Sequence, residues 1–289
     1  MKTLHIPQTH ADLADCVARA VLLASVVVAL APSVADAAAI VPGFNSSSLA
    51  ANDDGSTGAV PIGLSNPLNF FGTNYSTVFV NNNGNVTFTA PLSTFTPFGL
   101  SSTSIPMIAP FFADVDTRGV GSGIVTYGNG AAYGHGAFGA NWINVGYYPG
   151  QTNRLNSFQL VLVDRSDTGA GNFDIHFNYD KIQWETGGAS GGSNGLGGTS
   201  ASAGYSNGAT TFDQLLGSLV NGAFLDFGPN SLAAGSNIGS PGSFEYDVRN
   251  GIVRPPVVVP VPEPGSALAG MLALGVCLSG LGRRNRQAK

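Results

Sequence analysis

Cysteine is nearly absent from this 289-residue sequence, which contains two. Cys16 lies near the N-terminus, just before an apolar run, and Cys277 lies in an apolar run near the C-terminus, so the region between them has none. This excludes a disulfide framework, a cysteine-ligated zinc site and a thiol nucleophile from that region. A region of this length is large enough to be stabilised by its hydrophobic core alone.

Charged residues are also scarce, at 12 Lys and Arg and 17 Asp and Glu, or 10% of the chain. Residues 40–264 carry 6 basic and 14 acidic side chains, and the basic ones are scattered. Because nucleic-acid binding needs a basic stripe, this class of partner is excluded. Disorder driven by charge repulsion is excluded as well, since 43% of the residues are hydrophobic.

Long stretches of the helix-forming residues Ala, Glu, Lys and Leu are nearly absent between the two ends of the chain. In their place, Val, Phe, Thr and Tyr alternate with Asn, Ser and the 40 glycines. Period-two alternation interrupted by turn residues predicts β-strands joined by tight turns. The sequence therefore predicts an all-β fold, a single antiparallel β-sandwich-like domain over residues 40–252.

The clearest hairpin is predicted at Asn81-Asn82-Asn83-Gly84, because Asn and Gly tolerate the positive φ of a tight turn. Alternation in residues 173–179 places Phe, Ile, Phe and Tyr on one face and Asp174, His176 and Asn178 on the other. One short helix is predicted, over residues 212–220 (FDQLLGSLV), where Gly217 lowers the helical propensity. The predicted strands are residues 75–80, 85–89, 108–115, 123–127, 142–148, 157–164, 173–179 and 243–248, with a short one (SAGYSN) in the Gly/Ser-rich region 187–208.

The N-terminus carries a predicted export signal, residues 1–37. Residues 20–31 form an uncharged apolar run of the length of a signal helix, preceded by Lys2 and Arg19. Small residues follow in Ala35-Asp36-Ala37, which places the predicted cleavage after Ala37.

The C-terminus has a different apolar segment, residues 267–281, followed by Arg283, Arg284, Arg286 and Lys289. As a helix, this segment would span about 22 Å, less than the roughly 30 Å of a bilayer core, so the pattern predicts a short transmembrane helix. The positive charges would hold the C-terminus in the cytoplasm. Residues 253–264 contain five prolines and are predicted to form an extended linker.

Residues 261–289 resemble the PEP-CTERM sorting signal of exported Gram-negative bacterial proteins, through a Pro-Glu-Pro, a short apolar helix and an arginine cluster. The resemblance implies processing by a membrane peptidase of the exosortase type. That peptidase is thought to cut the tail and pass the protein from the inner membrane to the cell surface or extracellular matrix. A plain single-pass anchor is the alternative. The implied sorting motif comprises Val261, Pro262, Glu263, Pro264, Arg283 and Arg284.

A second resemblance extends from about residue 50 to 250. The segments that carry it are residues 52–55 (NDDG), 70–72 (FFG), 80–85 (VNNNGN), 108–116 (IAPFFADVD), Trp142, 158–160 (FQL), 177–179 (FNY) and 183–187 (QWETG). In these segments the chain is similar to the nidogen-like extracellular (NIDO) domain. The resemblance implies an extracellular location, an association with cell–matrix adhesion and no established catalytic residues, so the expected partner is an extracellular polysaccharide or matrix protein.

Motifs of enzyme chemistry occur without the context that they need. Gly-x-Ser-x-Gly occurs at residues 188–192, 191–195 and 204–208, but a nucleophile elbow requires a strand before it and a helix after it. The dinucleotide-like pattern at residues 134–139 leads into a predicted strand instead of a helix. We therefore expect no catalytic residues.

Asp114 and Asp116 have the alternate spacing that opens a calcium loop, and they are the candidate metal ligands. Arg118 stands where a third oxygen ligand is expected, so a turn stabilised by a carboxylate–arginine pair is the alternative interpretation. Calcium is the one candidate cofactor, because weak extracellular sites can still fill. Asp53 and Asp54, in Asn52-Asp53-Asp54, are a second candidate source of ligands.

Trp184 and Glu185 form the one local cluster of aromatic and charged residues. The pair predicts either a sugar-stacking or partner-binding surface, or a core tryptophan beside a glutamate paired with Arg165 or Lys181.

Two functions follow from these patterns. The first is an exported, non-enzymatic surface or matrix protein of the adhesive type, sorted through its tail. The alternative is a secreted carbohydrate-binding module or glycoside hydrolase that uses Asp114, Asp116 and Glu185. A hydrolase would require a concave site with carboxylates about 5–9.5 Å apart.

Overall fold

The computed structural model describes residues 39–255. The predicted signal helix, the short C-terminal helix and the sorting motif therefore lie outside the described residues. Among the residues that are described, no helix is both long and apolar enough to cross a membrane.

The described part of the chain consists of short and long strands with two single-turn 3-10 helices, Leu100–Ser102 and Gly188–Ser190. The strands are β1 (Ser47–Ser48), β2 (Val60–Pro61), β3 (Leu68–Phe70), β4 (Thr73–Tyr75), β5 (Thr77–Asn81), β6 (Asn85–Thr87), β7 (Met107–Phe112), β8 (Val125–Ala132), β9 (His135–Tyr147), β10 (Gln151–Asp164), β11 (Phe173–Lys181), β12 (Ser202–Ser206), β13 (Phe212–Gln214), β14 (Ser243–Arg249) and β15 (Ile252–Arg254).

The strands form two large antiparallel sheets and one small hairpin. The larger sheet has the order β1-β8-β9-β10-β11-β14-β15, the second has the order β13-β12-β7-β6-β5-β2, and β3 pairs with β4. Each predicted strand has a counterpart among these, so the predicted all-β antiparallel fold is confirmed. Strand β15 pairs with β14 through Arg254, so the first residues assigned to the linker belong to the larger sheet.

Aromatic side chains from both sheets fill the core between them. Phe111 of β7 lies 5.2 Å, ring centroid to ring centroid, from Phe158 of β10, which stacks on Trp142 of β9 at 5.3 Å. Phe111 also meets the edge of Trp184 at 5.7 Å. All four rings are fully buried; three belong to strands, and Trp184 lies in the segment that follows β11.

The outer face of the larger sheet is also covered, by polar contacts. Asp174, His176 and Asn178 alternate with the apolar residues of β11, as predicted, yet each is at most 3% exposed. Tyr133 stacks on His176 with ring centroids 4.0 Å apart. The amide of Asn178 donates to Gln159 Oε1 at 2.9 Å, which continues the polar row onto β10.

The N-terminal segment of the described chain, Val41 to Phe44, is bound to this polar row. Gln159 accepts a hydrogen bond from the Val41 N–H at 3.0 Å and donates one to the Val41 carbonyl at 2.8 Å. Asn141 donates to the carbonyls of Gly43 and Phe44 at 3.0 and 2.9 Å. The segment that follows the predicted signal cleavage is thus part of the folded domain.

The predicted helix over residues 212–220 is wrong. Residues Phe212–Gln214 form strand β13, which pairs with β12, and the chain then turns. Gly217 has a φ of 103°, which a helix cannot contain, and Leu216 is 81% exposed. Phe212, Leu219 and Val220 are exposed as well, so the apolar residues of this segment do not form one buried helical face.

The predicted hairpin between β5 and β6 is present, and its asparagines are buried. Gly84 has a φ of 72°, and its N–H donates to the Asn82 carbonyl at 2.9 Å. Asn82 and Asn83 are at most 1% exposed, so their side chains point into the domain instead of toward solvent. This inward turn positions the site described next.

Candidate metal centre

Three carboxylates from two distant segments of the chain meet beside the β5–β6 turn. Asp53 and Asp54 lie in the loop between β1 and β2, and Asp114 follows β7. One oxygen from each carboxylate lies within 4.8 Å of the other two. Asp114 is 1% exposed, whereas Asp53 and Asp54 are half-buried, so the cluster is open to solvent on one side.

Asn82 and Asn83 hold these segments together. Asn82 Nδ2 donates to the carbonyl oxygens of Asp53 and Val115, the latter at 2.5 Å. Asn83 Oδ1 accepts from the Val115 N–H at 2.9 Å, while Asn83 Nδ2 donates to Asp54 Oδ1 at 2.9 Å. Both segments are therefore fixed by side chains of one buried turn.

A second set of hydrogen bonds closes the loop that carries Asp53. Thr117 N–H donates to the Asn52 carbonyl at 2.9 Å, and Asn52 N–H donates to Thr117 Oγ1 at 2.9 Å. Asn52 Oδ1 accepts from the Gly55 N–H at 2.7 Å, which makes a tight Asx turn around the two aspartates.

Asp114 has a buried oxygen, Oδ2, with no hydrogen-bond partner among the described residues. Gly187 packs closely here, since a Cβ at that position would lie 2.2 Å from this oxygen. Burial raises the pKa of Asp114 to about 7; the charges of Asp53, Asp54 and Asp116 add to the rise, and the nearby Ala189 backbone N–H opposes it. The site thus disfavours a bare negative charge at Asp114.

Asp53 shares these features. Its Oδ1 is buried and likewise has no partner within residues 39–255, while its Oδ2 lies 3.0 Å from Arg118 Nη2. Burial, together with the charges of Asp54 and Asp116, raises the pKa of Asp53 to about 6, against the opposing effect of Arg118.

Asp116, which the sequence pairs with Asp114 as a candidate ligand, is engaged by Arg118. Its carboxylate accepts hydrogen bonds from Arg118 Nε at 2.9 Å, Arg118 Nη2 at 2.7 Å and the Gly150 N–H at 2.8 Å. Burial acts to raise the pKa of Asp116, but these hydrogen bonds lower it below its usual value. Asp116 therefore matches the interpretation of a turn stabilised by a carboxylate–arginine pair. The carboxylates that cluster with Asp114 are those of Asp53 and Asp54.

A second group, Asp174, His176 and Glu245, has the same spacing of candidate ligand atoms. Two guanidinium groups contact Asp174 here, from Arg165 at 2.8 Å and from Arg249 at 2.6 Å. Burial lowers the pKa of His176 to about 4; Asp174 opposes this shift, and Arg165 adds to it. Because two fixed cations already compensate the carboxylates, this group suits a buried ion-pair network better than a metal ion.

Trp184 and Glu185 lie inside the domain, both 0% exposed. The Trp184 indole N–H donates to the Val145 carbonyl at 3.1 Å. Trp184 is therefore a core tryptophan, as the alternative interpretation of the sequence predicts. Glu185 accepts from the N–H groups of Gly222 and Phe224 at 2.5 Å each, instead of pairing with Arg165 or Lys181. Neither side chain presents a surface on which a sugar could stack.

A surface cavity of about 450 Å³ lies elsewhere, lined by Leu215, Leu216 and the segment from Gly228 to Ser236. None of Asp114, Asp116 and Glu185 lines it, and all three are at most 1% exposed. The carboxylates proposed for a glycoside hydrolase thus do not line this cavity.

The residues that sequence reasoning missed are Asn82 and Asn83 as the scaffold of the cluster. Their tolerance of turn conformations accounts for the hairpin, but not for their side-chain contacts. The available signal was the run of three asparagines, whose amides can bind both carbonyls and carboxylates.

The nidogen-like domain family matches residues 76–134 and 129–250 of this chain. Alpha-tectorin of Mus musculus is 38% identical over 195 residues, which cover 57% of this chain and 8% of that protein. Alpha-tectorin of Gallus gallus is 37% identical over 182 residues, or 54% of this chain and 8% of that protein. Nidogen of Drosophila melanogaster is 28% identical over 221 residues, or 67% of this chain and 15% of that protein. The chain thus spans only a small part of the length of these relatives.

The PEP-CTERM protein-sorting motif matches residues 260–287. No solved structure matches the chain significantly. The sorting match covers the Pro-Glu-Pro sequence, the apolar run and the three arginines that follow it.

Proposed function

Since the chain belongs to the nidogen-like domain family, we propose that it is an exported, non-enzymatic protein of the cell surface or extracellular matrix, with an adhesive role. The family match and the sorting motif support the extracellular location. The adhesive role and the lack of enzymatic activity are the proposal.

The observation that carries the proposal is the linear order of the parts. A nidogen-like domain that reaches residue 250 is followed directly by a sorting motif that begins at residue 260. This order would deliver the folded domain outside the cell with its tail in the membrane. The predicted export signal at residues 1–37 supplies the entry to the same route.

The sorting motif implies processing by a membrane peptidase of the exosortase type. We expect an inner-membrane intermediate that is cut near Pro262, Glu263 and Pro264 and then released to the surface or matrix. The arginines at 283 and 284 would hold the uncut tail on the cytoplasmic side.

The local structure at the Gly-x-Ser-x-Gly sequences supports a non-enzymatic role. Ser190, at the centre of the first, ends a single-turn 3-10 helix, and its hydroxyl contacts the Phe95 carbonyl and Thr96 Oγ1, both at 3.3 Å. The chain at residues 134–139 enters strand β9, so it lacks the helix that binds a pyrophosphate.

The sorting step is tested by replacing Pro262, Glu263 and Pro264 with Ala in the native host. We expect the full chain to accumulate uncut in the membrane fraction, whereas the wild-type chain leaves it with a shortened C-terminus, as measured by mass spectrometry. Replacing Pro255 and Pro256 with Ala is the control, since both lie upstream of the matched motif. Normal release of the triple variant would contradict the proposal.

The adhesive role is tested by comparing a deletion strain, the same strain with the wild-type gene, and the strain with the uncut variant. Only the wild-type gene should restore retention of cells on native extracellular matrix. A pull-down from that matrix identifies the partner. Equal retention in all three strains would contradict an adhesive role.

A further inference from the structure

We propose that Asp53, Asp54 and Asp114 bind one divalent cation of the calcium type, and that this ion fastens the loop between β1 and β2 to the end of β7. The inference does not depend on the adhesive role. It concerns a ligand set different from the Asp114–Asp116 pair that the sequence suggests.

The spacing of the oxygens fits a single ion. Calcium takes oxygen ligands at about 2.3–2.6 Å, so two ligands on opposite sides of it are about 4.8 Å apart and adjacent ones are closer. One oxygen from each of the three carboxylates lies within 4.8 Å of the other two. Waters can complete the shell, because the cluster is open on the side of Asp53 and Asp54.

The unpartnered oxygens are an independent indication of a ligand. A buried polar atom without a partner is costly, and such atoms are rare in folded proteins. Asp114 Oδ2 and Asp53 Oδ1 are two of the four such atoms among the described residues, and both belong to this cluster. The other two, Asp174 Oδ1 and His176 Nδ1, belong to the second group, where Arg249 Nη1 lies 2.6 Å from Asp174 Oδ1. A cation bound by this cluster would supply a partner for carboxylate oxygens that have none within the described chain.

The charge balance agrees with a divalent ion. Asp116 is compensated by Arg118 through a two-point contact, and the same guanidinium reaches only Oδ2 of Asp53. The carboxylates of Asp53, Asp54 and Asp114 are therefore only partly compensated by the single positive charge of Arg118. A divalent cation removes most of this repulsion, whereas in the Asp174 group Arg165 and Arg249 already do so.

The site is also rigid before any ion arrives. Asn82 and Asn83 hold the two ligand segments, and Gly187 packs against the Asp114 carboxylate without room for a side chain. Carboxylates fixed in this way lose little freedom on binding, and residues that orient ligands contribute strongly to metal affinity.

The test is a calcium titration of the purified full chain by calorimetry, together with thermal unfolding in calcium and in chelator. At a Kd of about 10⁻⁴ M, typical of extracellular modules, about 10 mM calcium should raise Tm by roughly 5–10 °C. Sodium chloride at matched ionic strength is the control for simple screening of the carboxylates.

Three variants assign the response to residues. Asp54→Asn and Asp114→Asn should abolish both the binding heat and the Tm rise. Asp54 is half-buried, so its variant is expected to fold even if the change at Asp114 is not tolerated. Asp116→Asn should lower Tm but keep the calcium response, because Asp116 is bound to Arg118.

The proposal is overturned if calcium and chelator give the same Tm and no binding heat. It is also overturned if sodium chloride reproduces the full rise, or if Asp54→Asn responds as the wild type does. A response that is lost in Asp116→Asn alone would restore the pair suggested by the sequence and refute this ligand set.

Discussion

The Trp142 indole N–H donates a hydrogen bond to the Asn82 carbonyl oxygen at 2.9 Å. Trp142 belongs to the larger sheet, and Asn82 to the turn of the smaller one. Asn82 in turn donates to the carbonyls of Asp53 and Val115. One hydrogen bond therefore joins the aromatic core to the backbone that carries the acidic cluster.

Trp142→Phe should lower the free energy of unfolding by about 2–4 kcal/mol, because it leaves the Asn82 carbonyl without its partner and opens a cavity. It should also weaken the calcium response, since Asn82 would be held less firmly. Urea unfolding and calcium titration measure the two effects. Trp184→Phe is the matched control: it also loses an indole hydrogen bond, to Val145, but should leave the calcium response unchanged.

Asn83→Ala should reduce calcium affinity by about 10–100-fold, as expected for a residue that orients a ligand, here Asp54. Asn81→Ala is the matched control within the same turn. Asn81 is equally buried but bonds to Asn85, Thr87 and Ser56 instead of a carboxylate. Equal loss of affinity in both variants, measured by calorimetry, would show a general effect of the turn.

Stability should depend on the ionisation of His176. Its pKa is about 4 in the folded domain and about 6.5 when exposed, so between these values the unfolded chain binds the proton more readily. The contribution of His176 to the free energy of unfolding is complete above about pH 6.5 and falls by about 3 kcal/mol as the pH drops toward 4. Asp174, Arg165, Glu245 and Tyr133 act on or contact His176, and Arg249 contacts Asp174.

His176→Gln isolates this contribution, because Gln cannot titrate. The raised pKa values of Asp53 and Asp114 act in the opposite direction over a similar range, so the informative quantity is the difference between wild type and variant. The free energy of unfolding of the wild type minus that of the variant should decrease as the pH falls from 7 to 4. Urea unfolding of both proteins at each pH measures this difference. A difference that is constant with pH would contradict the assignment.

Gly84→Ala should destabilise the domain by at least about 4 kcal/mol. A Cβ at this position would lie 1.8 Å from the Phe111 carbonyl oxygen, in addition to the strain of a φ of 72°. Gly72→Ala is the control, since its φ is 84° but a Cβ there meets nothing within 4 Å. The control should cost about 1–2 kcal/mol, so similar losses in thermal unfolding would contradict the contact.

The strands were predictable because their side chains alternate between two environments. In β11 the apolar set and the polar set occupy opposite faces, as the sequence indicates. The covering of the polar face was not predictable, because Tyr133 and the segment from Val41 to Phe44 reach it from other parts of the chain. For the same reason, the pairing of β11 with β14 could not be inferred.

The wrongly predicted helix shows where local sequence patterns fail. Residues 212–220 have apolar side chains at helical spacing, and only Gly217 argued against a helix. The competing interaction is the pairing of β13 with β12, whose partner residues lie in a Gly-rich region of weak pattern. Tertiary pairing prevailed over local spacing there.

In the acidic cluster, adjacency in sequence was a poor guide. Asp114 and Asp116 are two residues apart, but Arg118 captures the second. Asp53 and Asp54 are far from Asp114 along the chain, and only the β5–β6 turn brings them together. The acidic motifs of the sequence identified the candidate ligands, whereas the fold determines which of those carboxylates lie close together.

The placement of the first and last strands has a consequence for the timing of secretion. Strand β1 forms one edge of the larger sheet and β15 the other, and Val41 to Phe44 rest on strands from its middle. If the chain leaves the cell N-terminus first, its leading segment has nowhere to dock until β9 and β10 have followed, and β11 keeps an open edge until β14 emerges. If the proposed tail pauses in the membrane, release is delayed until β14 has paired with β11, so that an aggregation-prone intermediate is not set free.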